Sequence, residues 1–105
     1  MANKIGIHVP GKRIAEFCRK WDIREFSLFG SVLSDDFGPD SDIDVLVSFN
    51  EGATHTLFDL VRMEKELEEV FGREVDVVSR RGIESSRNYL RRKAILDSAE
   101  AIYAA

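Results

Sequence analysis

Apolar residues recur along the chain with two periods, one typical of helices and one typical of strands. Helical spacing begins after Pro10-Gly11 and returns in two later segments, residues 56–71 and 84–103. Runs rich in β-branched and aromatic residues, typical of strands, occupy residues 23–29, 42–49 and 73–79. Short polar joints separate the segments. The pattern predicts the element order α-β-β-α-β-α.

Local signals indicate where the helices lie and which sides they bury. The first helix has an apolar stripe formed by Ile14, Phe17, Cys18 and Trp21. The helix over residues 56–71 has Thr56 as its predicted N-cap and Gly72 as its C-terminal stop. Together the elements predict an α/β (α+β) fold in a single domain spanning residues 1–105. We expect a small mixed three-stranded sheet with the helices packed on one face.

Composition and charge limit the classes of function. With 105 residues, 44% hydrophobic and 32% charged, the chain has the make-up of one folded globular domain. A formal net charge of −4 argues against binding to long nucleic acid, which relies on a basic surface. Cys18 is the one cysteine, and no signal-like or membrane-length apolar segment is present. We therefore expect a cytoplasmic protein without membrane contact.

Three aspartates are expected to converge on the sheet face that the helices leave open. Asp42 and Asp44 share a face because side chains alternate along a strand, and Asp76 has the same orientation on the third strand. Like charges this close repel and raise one another's pKa unless a cation compensates them. Carboxylate oxygens suit Mg²⁺, which commonly takes its remaining ligands from substrate phosphates and water. The sequence therefore predicts a magnesium site at these aspartates.

The dipeptide Gly30-Ser31 ends the first predicted strand, and ten residues separate it from Asp42. Glycine lets the backbone approach a ligand closely, and serine offers a hydroxyl and an N–H at the start of a short helical turn. Such a turn is a local anion site. An anion site beside a cation site predicts that the chain binds a nucleoside triphosphate.

Four acidic residues also fall at ligand positions of an EF-hand calcium loop: Asp40, Asp42, Asp44 and Glu51. An EF-hand requires glycine at its sixth position for a sharp turn, and Val45 stands there. The preceding Gly38-Pro39 cannot belong to the incoming helix that an EF-hand needs. We therefore exclude a calcium loop.

The spacing of Gly30-Ser31, ten residues, then Asp42-x-Asp44, with a later strand aspartate at Asp76, resembles the minimal nucleotidyltransferases of the DNA polymerase beta superfamily. The resemblance covers nearly the whole chain. It implies a polymerase beta-like fold, a triphosphate held at Gly30 and Ser31, and Mg²⁺ bound by Asp42 and Asp44. It also implies that Asp76 binds metal and helps to activate the attacking hydroxyl, with two ions steadying the pyrophosphate leaving group.

Many members of that family are antitoxins paired with a HEPN-domain toxin, and some inactivate it by moving AMP from ATP onto a toxin tyrosine. The resemblance thus implies Mg²⁺-dependent transfer of AMP to a hydroxyl of a partner protein. The chain departs from many active relatives at residues 32–36, where they carry an Arg-rich stretch. Five other arginines could supply the charge, although a solvated helix face is their ordinary role: Arg80, Arg81, Arg87, Arg91 and Arg92.

A second hypothesis is a catalytically weak interaction module that neutralises its partner by covering it. A short sheet leaves strand edges and apolar helix surface for another chain to bury, so a homo- or hetero-oligomer is compatible with the sequence. Substitution of Asp42 or Asp44 separates the two hypotheses. Nucleotide transfer is lost under the first, and neutralisation of the partner survives under the second.

Overall fold

The computed structural model describes residues 6–105, which form helices, strands and one short 3₁₀ turn. In chain order the elements are α1 (Gly11–Lys20), β1 (Ile23–Phe29), the 3₁₀ turn (Gly30–Leu33), β2 (Ile43–Phe49), α2 (Leu57–Phe71), β3 (Val75–Ser79), α3 (Arg80–Glu84), α4 (Tyr89–Ser98) and β4 (Glu100–Ala104). The first five predicted elements are confirmed to within a few residues of their ends.

The strands form one mixed sheet in the order β3-β2-β1-β4. The central strand β1 is antiparallel to both of its neighbours, whereas β2 and β3 run parallel. The prediction of a mixed sheet is confirmed. The predicted number of three strands is wrong, because β4 adds a fourth strand along β1.

The sequence predicted one helix over residues 84–103, but the structure has helix α4 and strand β4 there, preceded by the short helix α3. Helix α4 begins after Asn88, whose Oδ1 accepts a hydrogen bond from the backbone N–H of Arg91 at 3.1 Å. It gives way to extended backbone at Ala99. Strand β4 then pairs with β1 and packs Ile102 against the core. Pairing an otherwise open strand edge outweighs the helix propensity of these residues.

The main hydrophobic core lies between one face of the sheet and helices α1 and α2. Its buried side chains include Ile14, Phe17, Cys18, Phe26, Leu28, Ile43, Val45, Val47, Met63 and Leu67. This arrangement confirms that the Ile43 face of β2 is the covered one. Burial of this much apolar surface supplies the main driving force for folding.

A second, smaller cluster lies on the opposite face of the sheet. Phe29 of β1 and Leu46 of β2 pack there against Ile83 of α3 and Ile95 of α4. The prediction that helices cover one face only is therefore wrong. Because Phe29 and Leu46 are apolar and point away from the main core, α3 and α4 are needed to remove them from water. The aspartate-bearing face is consequently a cleft beside α4 rather than an open surface.

Both predicted ends of α2 are confirmed. Thr56 and Asp59 form a reciprocal capping box, in which each side chain accepts a hydrogen bond from the backbone N–H of the other, at 3.3 and 3.0 Å. Gly72 follows the helix in the left-handed conformation with φ +72°, where glycine is favoured. Helix α2 is thereby held at a fixed length beside β3.

Candidate active site

The sheet register brings three of the predicted site residues into one row. Asp44 of β2 lies directly opposite Asp76 of β3 in the parallel pairing. On its other side Asp44 pairs with Phe29, the last residue of β1, and Gly30 follows at once. Backbone pairing therefore places Asp44 and Asp76 side by side on neighbouring strands, with Gly30 next to them directly after the end of β1.

Asp44 is half-buried, and burial raises the pKa of its carboxyl group above the ordinary value. The charges of Asp76 and Asp42 raise this pKa further, and the positive charge of Arg91 opposes them. The charged form of Asp44 is thus disfavoured by its surroundings. A cation at this carboxylate would relieve both the lost hydration and the repulsion.

Gly30 is required where it lies because of Asp44. Its φ is +79°, in the left-handed region, and a Cβ added there would meet Asp44 Oδ2 at 2.6 Å. Ser31, the next residue, is half-buried in the 3₁₀ turn. Its carbonyl accepts hydrogen bonds from the backbone N–H of Ser34 at 2.9 Å and from the Ser34 hydroxyl at 3.0 Å. The glycine lets the turn pass directly over the carboxylate.

Asp42 lies just outside β2 and is exposed. The loop that leads to it is held by Arg73, whose Nη1 donates hydrogen bonds to the carbonyls of Gly38 at 3.0 Å and Ser41 at 2.9 Å. Sequence reasoning gave Arg73 no role, because its partners lie more than thirty residues away along the chain. Asp42 thus acts on Asp44 through its charge, from a loop fixed by Arg73.

A cavity of about 340 Å³ opens at this row of residues. It is lined by Phe29, Gly30, Asp44, Asp76, Arg91, Ala94, Ile95 and Ser98. Its volume falls in the range of small-molecule sites, roughly 300–1,000 Å³. Three of the five predicted site residues line it, whereas Ser31 and Asp42 lie beside it.

Arg91 enters the cavity lining from α4. Its guanidinium makes no hydrogen bond or ion pair with any side chain or backbone group within residues 6–105. The sequence favours a solvated helix face for this arginine. A helical signal for its position did exist, because Arg91 stands four residues before the buried Ile95 and so shares its side of the helix. Arg91 places a positive charge at the cavity, where residues 32–36 offer no arginine.

Glu64 of α2 is a second residue that sequence reasoning did not single out. Its Oε2 accepts a hydrogen bond from the backbone N–H of Val77 at 2.8 Å. Burial raises the pKa of its carboxyl group, the Val77 hydrogen bond opposes this, and contact with Asp76 raises it further. Nothing in the helical pattern distinguishes Glu64 from other charged residues of α2, because its partners belong to a different element.

The donor atoms of the site fit a magnesium ion shared with a nucleotide. Within residues 6–105, no group of three or more His, Cys, Asp or Glu side chains is arranged to hold a metal by itself. Mg²⁺ is usually bound through one or two carboxylates, with substrate phosphates and water completing its shell. Asp44 and Asp76 supply two carboxylates in adjacent register, and burial together with the charges of Asp76 and Asp42 raises the pKa of Asp44.

A cavity of similar size, about 330 Å³, lies at the other end of β2 beside Arg24 and Arg81. Its third arginine, Arg80, forms ion pairs with Glu25 at 3.6 Å and Glu84 at 3.5 Å. Volume alone therefore does not distinguish the two cavities. The cavity beside α4 is distinguished by the paired Asp44 and Asp76 and by the close approach of Gly30 to Asp44.

Residues 12–102 match the model of a protein family described as the nucleotidyltransferase domain. A Methanocaldococcus jannaschii protein named for protein adenylyltransferase activity is 44% identical over 68 residues, which cover 65% of this chain and 71% of that protein. The protein adenylyltransferase MntA of Thermococcus cleftensis is 33% identical over 70 residues, covering 67% of this chain and 69% of its own.

Solved structures share the fold. A structure described as a minimal nucleotidyltransferase is 34% identical, with a TM-score of 0.64 and 86% of each chain covered. A toxin-antitoxin complex with AMP-PNP gives a TM-score of 0.71 at 18% identity, covering 92% of this chain and 75% of the other. A complex of a tri-AMPylated Shewanella oneidensis HEPN toxin with its MNT antitoxin gives 0.62 at 18% identity, covering 90% and 70%. Because the family match spans most of its length, the chain belongs to the nucleotidyltransferase domain family.

Proposed function

We propose that this chain, as one domain over residues 1–105, is a Mg²⁺-dependent nucleotidyltransferase that moves AMP from ATP onto a hydroxyl of a partner protein. The observation that carries the proposal is the cavity shared by Gly30, Asp44, Asp76 and Arg91. Support for AMP as the transferred group comes from relatives named protein adenylyltransferases. Support for a HEPN-type toxin as the partner comes from the AMPylated toxin bound to a similarly folded antitoxin.

The residues of the site divide into two groups in the proposed reaction. Asp42, Asp44 and Asp76 would hold Mg²⁺, with two ions in the complete site, and Gly30 and Ser31 would receive the triphosphate. Bound Mg²⁺ supplies Lewis acidity to the α-phosphate and to the attacking hydroxyl. Arg91 presents its charge to the phosphate oxygens, where charge-assisted hydrogen bonds to arginine are strong.

The transfer itself is a displacement at phosphorus. The acceptor oxygen forms a bond to the α-phosphorus, the bond from that phosphorus to the bridging oxygen breaks, and pyrophosphate leaves. The hydroxyl proton passes to a carboxylate, for which Asp76 is placed at the cavity wall. Preorganised charge at Arg91 stabilises the negative charge on the leaving phosphates.

A protein acceptor suits the shape and charge of the chain. The cavity lies at the surface between the sheet and α4, where another protein can insert a side-chain hydroxyl. The net charge of −4 disfavours RNA or DNA as acceptor. No helix within residues 6–105 is long and apolar enough to cross a bilayer. A cytoplasmic setting, where free thiols persist, agrees with the unpaired buried Cys18.

The direct test is incubation of the chain with ATP, Mg²⁺ and a HEPN-type partner, for which the product of the adjacent gene is the first choice. Mass spectrometry should find an adenylyl group on a side-chain hydroxyl of the partner. Asp44→Asn should abolish the modification because it removes a metal-binding carboxylate from the cavity. Asp36→Asn, which makes the same charge change on an exposed loop, should leave it intact.

The binding-module hypothesis keeps one specific observation in its favour. Leu57 and Phe58 at the start of α2 are each 80% exposed, which is unusual for large apolar side chains so close together. Under this hypothesis the partner is bound and silenced without modification. A partner that stays unmodified, yet is neutralised equally by wild type and by Asp44→Asn, would establish the module and reject the transfer reaction.

A further inference from the structure

The cavity of about 330 Å³ beside Arg24, Arg81 and Ser48, the basic cavity, opens on the same face of the sheet as the paired aspartates. Ser48 shares that face with Leu46 because side chains alternate along β2. Leu46 packs against Ile83 of α3, so an apolar cluster lies between the two cavities. Among the described residues, 6–105, the two cavities have no lining residue in common. The basic cavity is therefore separate from the site of the proposed reaction.

An irregularity in β1 turns Arg24 toward the basic cavity. The pairing of β1 with β2 shifts register between Ile23 and Glu25. Ile23 and Phe26 both lie in the main core although they are three residues apart, a spacing that regular strand alternation does not permit. The bulge lets both Arg24 and Glu25 face away from the core, and Arg24 reaches the cavity wall.

The opposite wall carries two arginines of α3. Arg80 is held by an ion pair with Glu84 at 3.5 Å. The guanidinium groups of Arg24 and Arg81 make no hydrogen bond or ion pair within the described part of the chain. Three arginines and two glutamates, Glu51 and Glu84, line the cavity, so its lining carries a net positive charge in a chain whose net charge is −4. Two arginine side chains are thus free to bind an anion.

Ser48 adds a polar group that lacks a protein partner. It is only 9% exposed and lines the basic cavity. Its hydroxyl makes no hydrogen bond with any other group of residues 6–105. No fully enclosed polar side-chain atom in that range lacks a hydrogen-bond partner, so the Ser48 hydroxyl is open to the cavity rather than shut inside the core. A buried hydroxyl of this kind is expected to bind a ligand or water.

We propose that the basic cavity binds the phosphate group of a small phosphate monoester. Arginine presents a planar fork of N–H donors that matches phosphate oxygens, and two such forks with one hydroxyl supply more donors than the two oxygens of a carboxylate need. Val47, Phe49 and Ala53 add apolar wall, which suits the organic part of a monoester. The proposal requires neither ATP nor Mg²⁺ and is independent of the proposed reaction.

The test is a titration of the ¹⁵N-labelled chain followed by NMR, without Mg²⁺ and at constant ionic strength. Phenyl phosphate is the probe, at about pH 7.5, where a phosphate monoester carries close to two negative charges. We expect saturable shifts of the Ser48 and Gly52 amides and of the Nε–H signals of Arg24 and Arg81. Inorganic phosphate should bind at the same place but more weakly, because it lacks an apolar group to contact Phe49.

Substitutions assign the binding to the named side chains. Arg24→Gln and Arg81→Gln should each weaken phenyl phosphate binding about tenfold or more, since each removes a charged donor. Ser48→Ala should weaken it by about three- to tenfold. Arg87→Gln makes the same charge change at an exposed residue outside the cavity and should bind as wild type. Thermal unfolding shows whether each variant is folded, and if Arg24→Gln is not, Arg81→Gln and Ser48→Ala still test the proposal.

Four outcomes overturn the proposal. Shifts that grow linearly, and equally in Arg81→Gln and Arg87→Gln, would show unspecific attraction of anions. Shifts confined to the neighbourhood of Asp44 would place the anion in the other cavity. Equal affinity for inorganic phosphate would assign the cavity to free phosphate. Phenylacetate that binds as tightly as phenyl phosphate would make the cavity a carboxylate site, such as one for an acidic side chain of another protein.

Discussion

Gly30 and Asp44 depend on each other at the level of single atoms. The Asp44 carboxylate occupies the space that any Cβ at Gly30 would need, since the two would be 2.6 Å apart. The turn also requires φ +79° at Gly30, which glycine adopts without the penalty that other residues incur. The close approach brings the backbone against the carboxylate, and under the proposed function it would place phosphates beside a carboxylate-bound cation.

Gly30→Ala and Gly52→Ala should be compared directly. Both glycines have positive φ, but a Cβ at Gly52 meets nothing within 4 Å. Each variant should lose about 1–2 kcal/mol in the free energy of unfolding because of backbone strain. Only Gly30→Ala should also lose AMP transfer, because Asp44 must move. Urea unfolding and the transfer assay measure the two effects, and equal activity of the two variants would show that the close contact is not needed.

Helix α2 connects the stability of the fold to the site. It packs Met63 and Leu67 into the main core and extends Glu64 to β3. Its first turn is fixed by Thr56 and Asp59, whose hydrogen bonds satisfy backbone N–H groups that have no partner inside the helix. Fraying at this end would therefore loosen the helix that holds Glu64.

The capping box predicts a specific dependence on pH. The hydrogen bond from Thr56, followed by contact with His55, lowers the pKa of Asp59 below its ordinary value. Near its pKa, Asp59 then binds fewer protons in the folded chain than in the unfolded chain. Its contribution to the free energy of unfolding is therefore present above the unfolded pKa of 3.8. That contribution is lost as pH falls through the lower folded pKa. The melting temperature of Asp59→Asn should approach that of wild type as the buffer is taken from about pH 6 to about pH 3. A constant gap would contradict this role.

Elements with local signals were predictable, and those set by distant pairing were not. Helix α2 carries its end signals at the residues that flank it, Thr56 and Gly72, and β1 is a run with strand-forming Ile23, Phe26 and Phe29 that stops at Gly30. The segment that forms β4 contains residues acceptable in a helix, and only the open edge of β1 decides its conformation. Its pairing partner lies more than seventy residues away, beyond what periodicity can detect.

Across the whole molecule, the two faces of the sheet carry different features. One face buries the main core under α1 and α2, and the other combines a small apolar cluster with paired aspartates beside α4. The grouping of Gly30, Asp44 and Asp76 was predictable, because strand alternation and spacing determine it. The approach of Arg91 and Glu64 was not, since it depends on how α4 and α2 pack onto the sheet.

Asp44→Asn should show how much the ionised Asp44 carboxylate destabilises the unliganded protein. Burial and the charges of Asp76 and Asp42 raise the pKa of Asp44 in the folded chain. The free energy of unfolding therefore falls as pH rises from the unfolded pKa of Asp44 through its higher folded pKa. At neutral pH the neutral asparagine avoids the loss, and the variant should melt a few degrees above wild type. Asp36→Asn, on an exposed loop, controls for net charge and should have the same melting temperature as wild type.

Adding Mg²⁺ and ATP should place the melting temperature of wild type above that of Asp44→Asn. Under the proposed function, Mg²⁺ with ATP should bind the folded state and raise the melting temperature of wild type, since a ligand stabilises the state that it binds. Asp44→Asn lacks the carboxylate that responds to the cation and should shift little, and Asp76→Ala should shift less than wild type. Differential scanning calorimetry with and without Mg²⁺ and ATP gives both comparisons. Equal shifts in wild type and in both variants would mean that the nucleotide binds away from the paired aspartates, whatever their effect on the unliganded fold.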